Sequence, residues 1–276
     1  MPSVLYPPSR PQAIGEVLDS AVRIFKATLL KVLPFSVLAT VAGQLQNIYI
    51  ILSGRNIRPF SNSDPGWWAV YLLGTVVGAA LINAIIVRQA AIATGSESAS
   101  MMALKEGLRN VPAVVLMGIV MAVLVGIWFV PLAVIPAAYR SWSGALLAVP
   151  AFYLLVLFLC SWPARLVDRK GPIESLRYSA HLVRGNWWRT VMVYLVVLTM
   201  IIVLSVTAGL IVGVLTQLVA ARDLAVSTAV SAVMVVASGA VFVPFVSSMS
   251  LALYGDLRSR KDGADLERRI AGAPAG

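Results

Sequence analysis

Charged residues are scarce in this sequence, and cysteine and histidine, the usual ligands of structural zinc, occur once each. Only 12% of the 276 residues are charged, whereas soluble domains carry about 25%. The chain therefore has too few polar side chains to cover a soluble domain of its hydrophobicity. Cys160 alone excludes an internal disulfide, and His181 alone provides no cluster for metal or hydrolytic chemistry. We therefore expect a membrane protein that is not an enzyme and holds no metal or cofactor.

Long apolar stretches make up much of the sequence. Six of them each hold the roughly 20 residues that are needed to cross a bilayer. They predict an all-α integral membrane protein with six transmembrane helices, in a domain over residues 1–257 that is followed by a cytoplasmic charged tail over residues 258–276. The predicted spans are Val32–Leu52, Trp67–Ala91, Pro112–Tyr139, Gly144–Ala164, Val191–Leu215 and Ala225–Tyr254.

The basic residues fall mostly on one side of these spans. When the loops are assigned alternately to the two faces of the membrane, 18 of the 22 lysines and arginines lie on one face. Short loops rich in Lys and Arg face the cytoplasm, so both termini are expected there. The charge suits anionic lipid headgroups, and we expect no nucleic-acid partner. The basic residues of the other face are Arg55, Arg58, Arg140 and Arg222.

Three segments on the basic side have one apolar and one basic face. Ile14–Leu29, Met101–Arg109 and Ile173–Trp187 all carry apolar residues at helical spacing, and each precedes a pair of spans. The first and third segments can be aligned, which pairs Glu16 with Glu174. The pattern predicts three units, each an amphipathic interfacial helix followed by a transmembrane hairpin. Chance similarity between short loops is the alternative.

Each amphipathic helix is expected to lie along the cytoplasmic interface, with its apolar stripe buried and its basic face toward the headgroups. In the second segment the stripe consists of Met101, Leu104, Leu108 and Val111. The candidate headgroup contacts of the three helices are Arg23, Lys26, Lys105, Arg109, Arg177 and Arg184.

Polar side chains inside the spans are costly in lipid and therefore mark helix contacts or functional sites. Gln44 and Asn47 in the first predicted span and Asn83 in the second form a candidate intramembrane polar cluster. Two interpretations stay open, namely hydrogen bonds between helices and the wall of a transport path.

The last apolar run leads into a densely charged stretch, LYGDLRSRKDGADLERRI, over Leu253–Ile270. We expect the sixth helix to continue past the apolar run and to end at Gly263 in a left-handed turn, after which the chain folds back. Asp256 or Glu267 would then pair with a basic residue of an amphipathic helix, with Arg23 and Arg184 as candidates. A solvated flank without a partner is the alternative. The residues of this tail motif are Tyr254, Asp256, Arg258, Arg260, Gly263 and Asp265.

Three stretches follow one another along the chain in this order: IGEVLDSAVRIFKATLLKVLPFSVL, GPIESLRYSAHLVRGNWWRTVMV and LYGDLRSRKDGADLE. Together they resemble the signature segments of a family of bacterial membrane proteins labelled glycerophosphoryl diester phosphodiesterase membrane domain, or YciC-like inner-membrane proteins. The resemblance implies a six-helix protein of the bacterial inner membrane. It implies no catalytic activity, because the phosphodiesterase barrel of the fused family members has no counterpart here. Gly255 stands where the family usually has a second aromatic residue.

Three functions are consistent with these observations. The first is a non-enzymatic membrane component that binds lipid, or a protein partner at its cytoplasmic face, and serves envelope organisation or accessory work in transport. The second is a transporter or permease for a small solute or lipid, with a path near the polar cluster. The third, an accessory subunit in glycerophospholipid metabolism, is implied by the resemblance alone.

Overall fold

The computed structural model describes residues 5–8, 10–53, 64–96, 99–136, 139–219 and 224–271. Within these ranges all regular secondary structure is helical, which confirms the predicted all-α class. A short 3-10 helix, Ile127–Ala133, follows the fourth α-helix. The α-helices are α1 (Ile14–Ser53), α2 (Pro65–Ala93), α3 (Ser100–Arg109), α4 (Val111–Gly126), α5 (Arg140–Leu157), α6 (Ser161–Val167), α7 (Pro172–Val183), α8 (Trp187–Val219) and α9 (Leu224–Ala271).

Six helical segments of the described residues are long and apolar enough to cross a membrane, as in a multi-pass membrane protein. Each of them overlaps one of the predicted spans. The third segment joins α4 to the 3-10 helix, and the fourth joins α5 to α6. The segments are Ile14–Ser53, Pro65–Ala93, Val111–Leu132, Ser141–Val167, Trp187–Ile211 and Ala232–Gly263.

The predicted repeat of three separate interfacial helices is not confirmed. Met101–Arg109 and Ile173–Trp187 correspond largely to the separate helices α3 and α7, but Ile14–Leu29 is the first part of α1 and runs into the first span without a break. After Gly15 this stretch has no glycine or proline before Pro34, so no residue in it interrupts the backbone hydrogen bonds. The first unit of the predicted repeat therefore has no interfacial helix of its own.

The chain forms two compact units, and α1, α8 and α9 contribute a different portion to each. The boundary that the sequence suggested between residues 257 and 258 lies inside α9, which continues without a break to Ala271. Unit 1 comprises Met1–Ala21, Pro112–Leu195 and Met249–Gly276. Unit 2 comprises Val22–Val111 and Val196–Ser248.

In unit 2, α1 and α3 approach α2 closely at glycines. A Cβ added at Gly74 would lie 2.6 Å from the carbonyl oxygen of Ala42, and one added at Gly107 would lie 2.4 Å from that of Ala80. Asn83, which is fully buried in α2, donates a hydrogen bond to the Gly107 carbonyl at 3.1 Å. Small residues allow such close approach and are typical of helix contacts in membranes. α3 is therefore packed tightly along α2.

α9 carries a proline, Pro244, within unit 2. Proline has no N–H, so the carbonyl of Ala240 loses its helical donor, and Ser36 of α1 donates to it at 2.7 Å. Gln89 of α2 donates to the Pro244 carbonyl at 2.9 Å and to the Thr28 hydroxyl at 3.3 Å. Hydrogen bonds therefore join three helices at this proline.

In unit 1, α7 packs on the junction between α5 and α6. The Ser179 hydroxyl donates to the Leu157 carbonyl at 2.7 Å and accepts from the Cys160 N–H at 3.1 Å. Leu176 of α7 belongs to a hydrophobic cluster with Phe158. One face of α7 is thereby fixed against its neighbours, and its other face carries the charged residues.

Candidate functional site

In unit 1 the buried carboxylate of Asp256 forms ion pairs in the charged part of α9. Its side chain is fully buried. The Arg189 Nε lies 3.0 Å from Asp256 Oδ2, and the Arg260 Nε lies 3.1 Å from the same oxygen. The other oxygen, Oδ1, accepts from the Gln12 backbone N–H at 2.7 Å. Burial of a charge is costly unless it is paired and hydrogen-bonded, and here both conditions are met.

The chain before α1 is tied to the same site. Residues 5–8 and 10–13, which we call the N-terminal strap, contain Gln12, whose carbonyl accepts from Arg260 Nη2 at 2.6 Å and also from Arg189 Nη2. The N–H and the C=O of one strap residue are thus both bonded to the Asp256 site. The strap, the start of α8 and the end of α9 are joined at this point.

A second carboxylate, Asp168, lies in the turn after α6. It accepts from the Tyr254 hydroxyl at 2.6 Å and from Arg258 Nη1 at 2.8 Å. Arg258 also bonds Asp262 one turn later, with its Nε 3.2 Å from Oδ2. We call Asp168, Arg189, Asp256, Arg258, Arg260 and Asp262 the ion cluster. It holds three acids and three arginines, so it is neutral as a whole.

Tyr178 of α7 borders the ion cluster. Its hydroxyl is 3.5 Å from Asp262, and the Lys170 Nζ lies 4.2 Å from the centre of its ring. Burial, and next the charge of Asp262, raise the pKa of Tyr178 to about 12. The phenol is therefore neutral at any ordinary pH and acts as a donor to the cluster.

Gly255 is the point at which the strap meets α9. A Cβ added there would lie 2.7 Å from Cε2 of Tyr6 and 2.8 Å from Cδ of Pro8. Tyr6 is 2% exposed, and burial together with the nearby Asp168 raises the pKa of its phenol. The strap thus supplies a ring beside the position where the resembled family carries an aromatic residue.

The tail motif is confirmed in one respect and wrong in two. α9 does continue past Tyr254, but it also passes through Gly263 and ends at Ala271, so the chain does not turn back at that glycine. The residues after Gly263 are mostly good helix formers, and their propensity outweighs the cost of one glycine, about 1 kcal/mol. The Asp265 and Glu267 side chains lie outside the described residues.

The predicted partners of Asp256 were also wrong. Arg23 and Arg184 were the candidates, whereas Arg189 and Arg260 make the contacts. Arg260 lies one helical turn beyond Asp256 on the same helix, where opposite charges meet readily. Neither partner lies within one of the three predicted amphipathic segments.

The six candidate headgroup residues share one property. Their side chains are exposed, and none has a hydrogen-bond or ion-pair partner among the residues that the structure describes. Four of them belong to unit 2 and two to unit 1. They are Arg23, Lys26, Lys105, Arg109, Arg177 and Arg184.

Of the apolar stripe predicted for α3, Val111 is buried, but Met101 and Leu108 do not pack against the protein. α3 packs on α2 through Ala103 and Gly107, while Met101 and Leu108 are 74% and 58% exposed. Only small residues fit against α2 at this distance, so the large apolar side chains point elsewhere. The exposed face of α3 therefore carries both apolar and basic side chains, including Lys105.

The three polar residues predicted to cluster within the membrane do not come together. Asn47 Nδ2 donates to Gln44 Oε1 at 2.7 Å in α1, whereas Asn83 bonds the Gly107 carbonyl instead. A small cleft of about 130 Å³ lies nearby in unit 2, with Gln46 among its lining residues. Hydrogen bonding within and between helices is the interpretation that these contacts favour.

Sequence reasoning missed the polar contacts at Pro244. Ser36 and Thr28 are weakly polar and common in helices, so their positions gave no signal, and Gln89 lies close to the end of its predicted span. Pro244 itself was the available signal, because a proline within a span leaves a carbonyl that a neighbouring hydroxyl can satisfy.

Within the described part of the chain, no three His, Cys, Asp or Glu side chains are grouped as metal ligands would be. No family model, curated protein or solved structure matches the chain. The resemblance to the family of bacterial inner-membrane proteins therefore stays a prediction that rests on the three quoted stretches.

Proposed function

We propose that this chain is a non-enzymatic protein of the bacterial inner membrane that binds anionic lipid headgroups through basic helix faces on the cytoplasmic side. In this role it serves envelope organisation or accessory work in transport. Both termini lie in the cytoplasm, where the positive-inside rule puts the basic loops.

The observation that carries the proposal is the division of the basic residues into two groups. Arg189, Arg258 and Arg260 are neutralised inside the ion cluster. The six candidate headgroup residues are exposed, and none of them forms a hydrogen bond or an ion pair with another described residue. Cations that stabilised the fold would be expected to have partners, so the second group is free to bind an external anion.

The geometry of α7 illustrates the arrangement. Leu176, Leu182 and Val183 are buried, while Arg177 and Arg184 are exposed. A helix with one buried face and one basic face suits the headgroup layer of an anionic membrane. Each basic residue near such a surface contributes about 1 kcal/mol, and salt weakens the attraction of exposed charges.

A lipid competition experiment tests this proposal. The protein is reconstituted in mixtures of phosphatidylcholine and brominated phosphatidylglycerol, and quenching of tryptophan fluorescence gives the relative binding constant. The wild type should prefer the anionic lipid severalfold, and the preference should fall as salt is added. Replacing all six candidate residues with glutamine should bring the ratio to about one.

Arg10→Gln is the matched control. Arg10 Nη2 already lies 2.7 Å from Glu16 Oε1, so its loss should leave the lipid preference unchanged. A preference for the anionic lipid that is equal in the wild type and in the folded six-residue variant would contradict the proposal.

Orientation has a separate test. Single cysteines at Ser61 and at the exposed Gly263 should be labelled from opposite sides of the membrane, the first from outside and the second from the cytoplasm. The native Cys160 is buried and should react slowly. Labelling of both introduced cysteines from one side would overturn the proposed topology.

A further inference from the structure

The basic residues of unit 2 have few acidic neighbours. The carboxylates among its described residues are Asp64 and Glu106. Asp64 caps the first turn of α2 by accepting from the Gly66 N–H at 2.8 Å, so it lies at the far end of that helix from α3. In unit 1, by contrast, the ion cluster supplies three acids. Uncompensated positive charge in unit 2 is therefore concentrated around α3 and the neighbouring ends of α1 and α2.

α3 runs antiparallel to α2. Arg88 near the end of α2 donates to the hydroxyl of Ser100 at the start of α3, while Gly107 lies against Ala80. The eight residues from Ser100 to Gly107 thus return along α2 by about 10 Å. Because α2 is a candidate span, the far end of α3 lies beside a membrane helix rather than beyond it.

The exposed face of α3 carries both apolar and basic side chains. Met101, Lys105 and Leu108 are spaced as neighbours on one face, and Arg109 adjoins Lys105. Glu106, the acid of α3, is half-buried and lies at the edge of this face, one turn before Arg109. Helix side chains tilt toward the helix N-terminus, so Lys105 and Arg109 lean back toward the Ser100 end. Long basic side chains that reach in this way past apolar neighbours are typical of a membrane boundary.

We propose that this face of α3 is the principal anionic phospholipid site of the protein, in which Lys105 and Arg109 bind the lipid phosphate and Leu108, at the end of α3 farther from Ser100, contacts the acyl chains. The inference rests on the proposed function and assigns it to one element. The occupant is lipid because candidate spans lie directly before and after α3 in the chain, and the charge of the face is complementary to phosphate.

Matched pairs of substitutions test the assignment. Lys105→Gln with Arg109→Gln should lower the relative binding constant for brominated phosphatidylglycerol at least threefold. Arg177→Gln on α7 with Arg184→Gln directly after it removes the same charge and should have a smaller effect. If the α7 pair lowers the preference and the α3 pair does not, the α3 site is wrong and the proposed function stands. If neither pair nor the six-residue variant lowers it, both are wrong.

A second measurement follows the apolar side chains. Single cysteines at Met101 and Leu108 are labelled with an environment-sensitive dye, and Ser96 in the exposed turn before α3 provides the control position. The dye at Leu108 should be quenched by lipids with nitroxides on their acyl chains, the dye at Met101 should be quenched less by them, and the control dye should be quenched by aqueous iodide. Quenching by iodide alone at all three positions would overturn the insertion of α3, whatever the lipid preference.

Discussion

Asp256→Asn is the most direct test of whether the ion cluster stabilises the fold. The change keeps the shape of the side chain and removes its charge. Arg189 and Arg260 would then lose their shared carboxylate and keep the Gln12 carbonyl as a common acceptor. The amide nitrogen of the new side chain would also face donors, so at least one of the three hydrogen bonds to this position would be lost.

The expected cost follows from burial. Removing one partner of a buried ion pair costs about 3–5 kcal/mol. The side chains of Arg189 and Arg260 keep 17% and 29% of their surface exposed, so water recovers part of their solvation. We therefore expect the lower end of the range, about 3 kcal/mol. For a chain of this size that corresponds to a fall in Tm of about 6–12 °C.

Thermal unfolding in detergent, followed by tryptophan fluorescence, measures the effect. Asp19→Asn is the matched control, because Asp19 is exposed and has no ion-pair partner among the described residues. Combining Asp256→Asn with Arg260→Gln should cost less than the sum of the two single changes, since each removes the same contact. Equal Tm values for Asp256→Asn and Asp19→Asn would refute the argument that the cluster stabilises this end of the protein.

Three further outcomes are expected. Gly255→Ala should lower the free energy of unfolding by about 1–3 kcal/mol, because the new methyl group meets the N-terminal strap. Gly263→Ala is the control and should be neutral or stabilising, because no atom lies within 4 Å of the added Cβ. Equal effects of the two changes in thermal unfolding would contradict the strap contact. Deletion of the chain from Asp262 onward should lower the free energy of unfolding by only about 0–1 kcal/mol, because the ion pair between Asp262 and Arg258 is exposed. A large fall in Tm would show that residues beyond Asp262 stabilise the fold. The raised pKa of Tyr178 favours the neutral phenol in the folded state, so its contribution to the free energy of unfolding is complete below pH 10 and is lost as the pH rises from 10 to about 12. Tyr178→Phe should therefore flatten the pH dependence of Tm in that window. An unchanged slope would count against the raised pKa.

Helix positions could be predicted well from the sequence, because a span needs only length and low polarity. All six predicted spans overlap helices that are long and apolar enough to cross a membrane. Helix ends were harder to predict. The end placed at Gly263 was wrong because a single glycine is a weak stop signal, and α9 continues to Ala271.

The partners of charged residues could not be predicted in the same way. Asp256 was expected to pair, but its choice of Arg189 depends on how α8 lies beside α9 within unit 1, which no local pattern specifies. The strap is a similar case, since Gln12 takes part through its backbone N–H and C=O rather than through a recognisable side chain. Exposed cations were easier to identify, because position on a helix face is a local property.

The buried face of α3 shows why a hydrophobic pattern can mislead in a membrane protein. In water the largest apolar side chains are expected inside the protein, whereas the stripe containing Met101 and Leu108 is predicted to be buried at the membrane interface. Against α2 the space admits only Ala103 and Gly107, and large apolar residues can face lipid at no cost. In such a chain the small residues indicate the packed face.

The composition of the lipid that stays with the purified protein tests the central claim most directly. The full chain is extracted gently from its membrane, and the bound phospholipids are quantified by mass spectrometry against those of the bulk membrane. The account predicts that anionic phospholipids are enriched on the wild type and that the enrichment is lost in the variant with glutamine at all six candidate headgroup positions. Bound lipid with the composition of the bulk membrane in both proteins would contradict it.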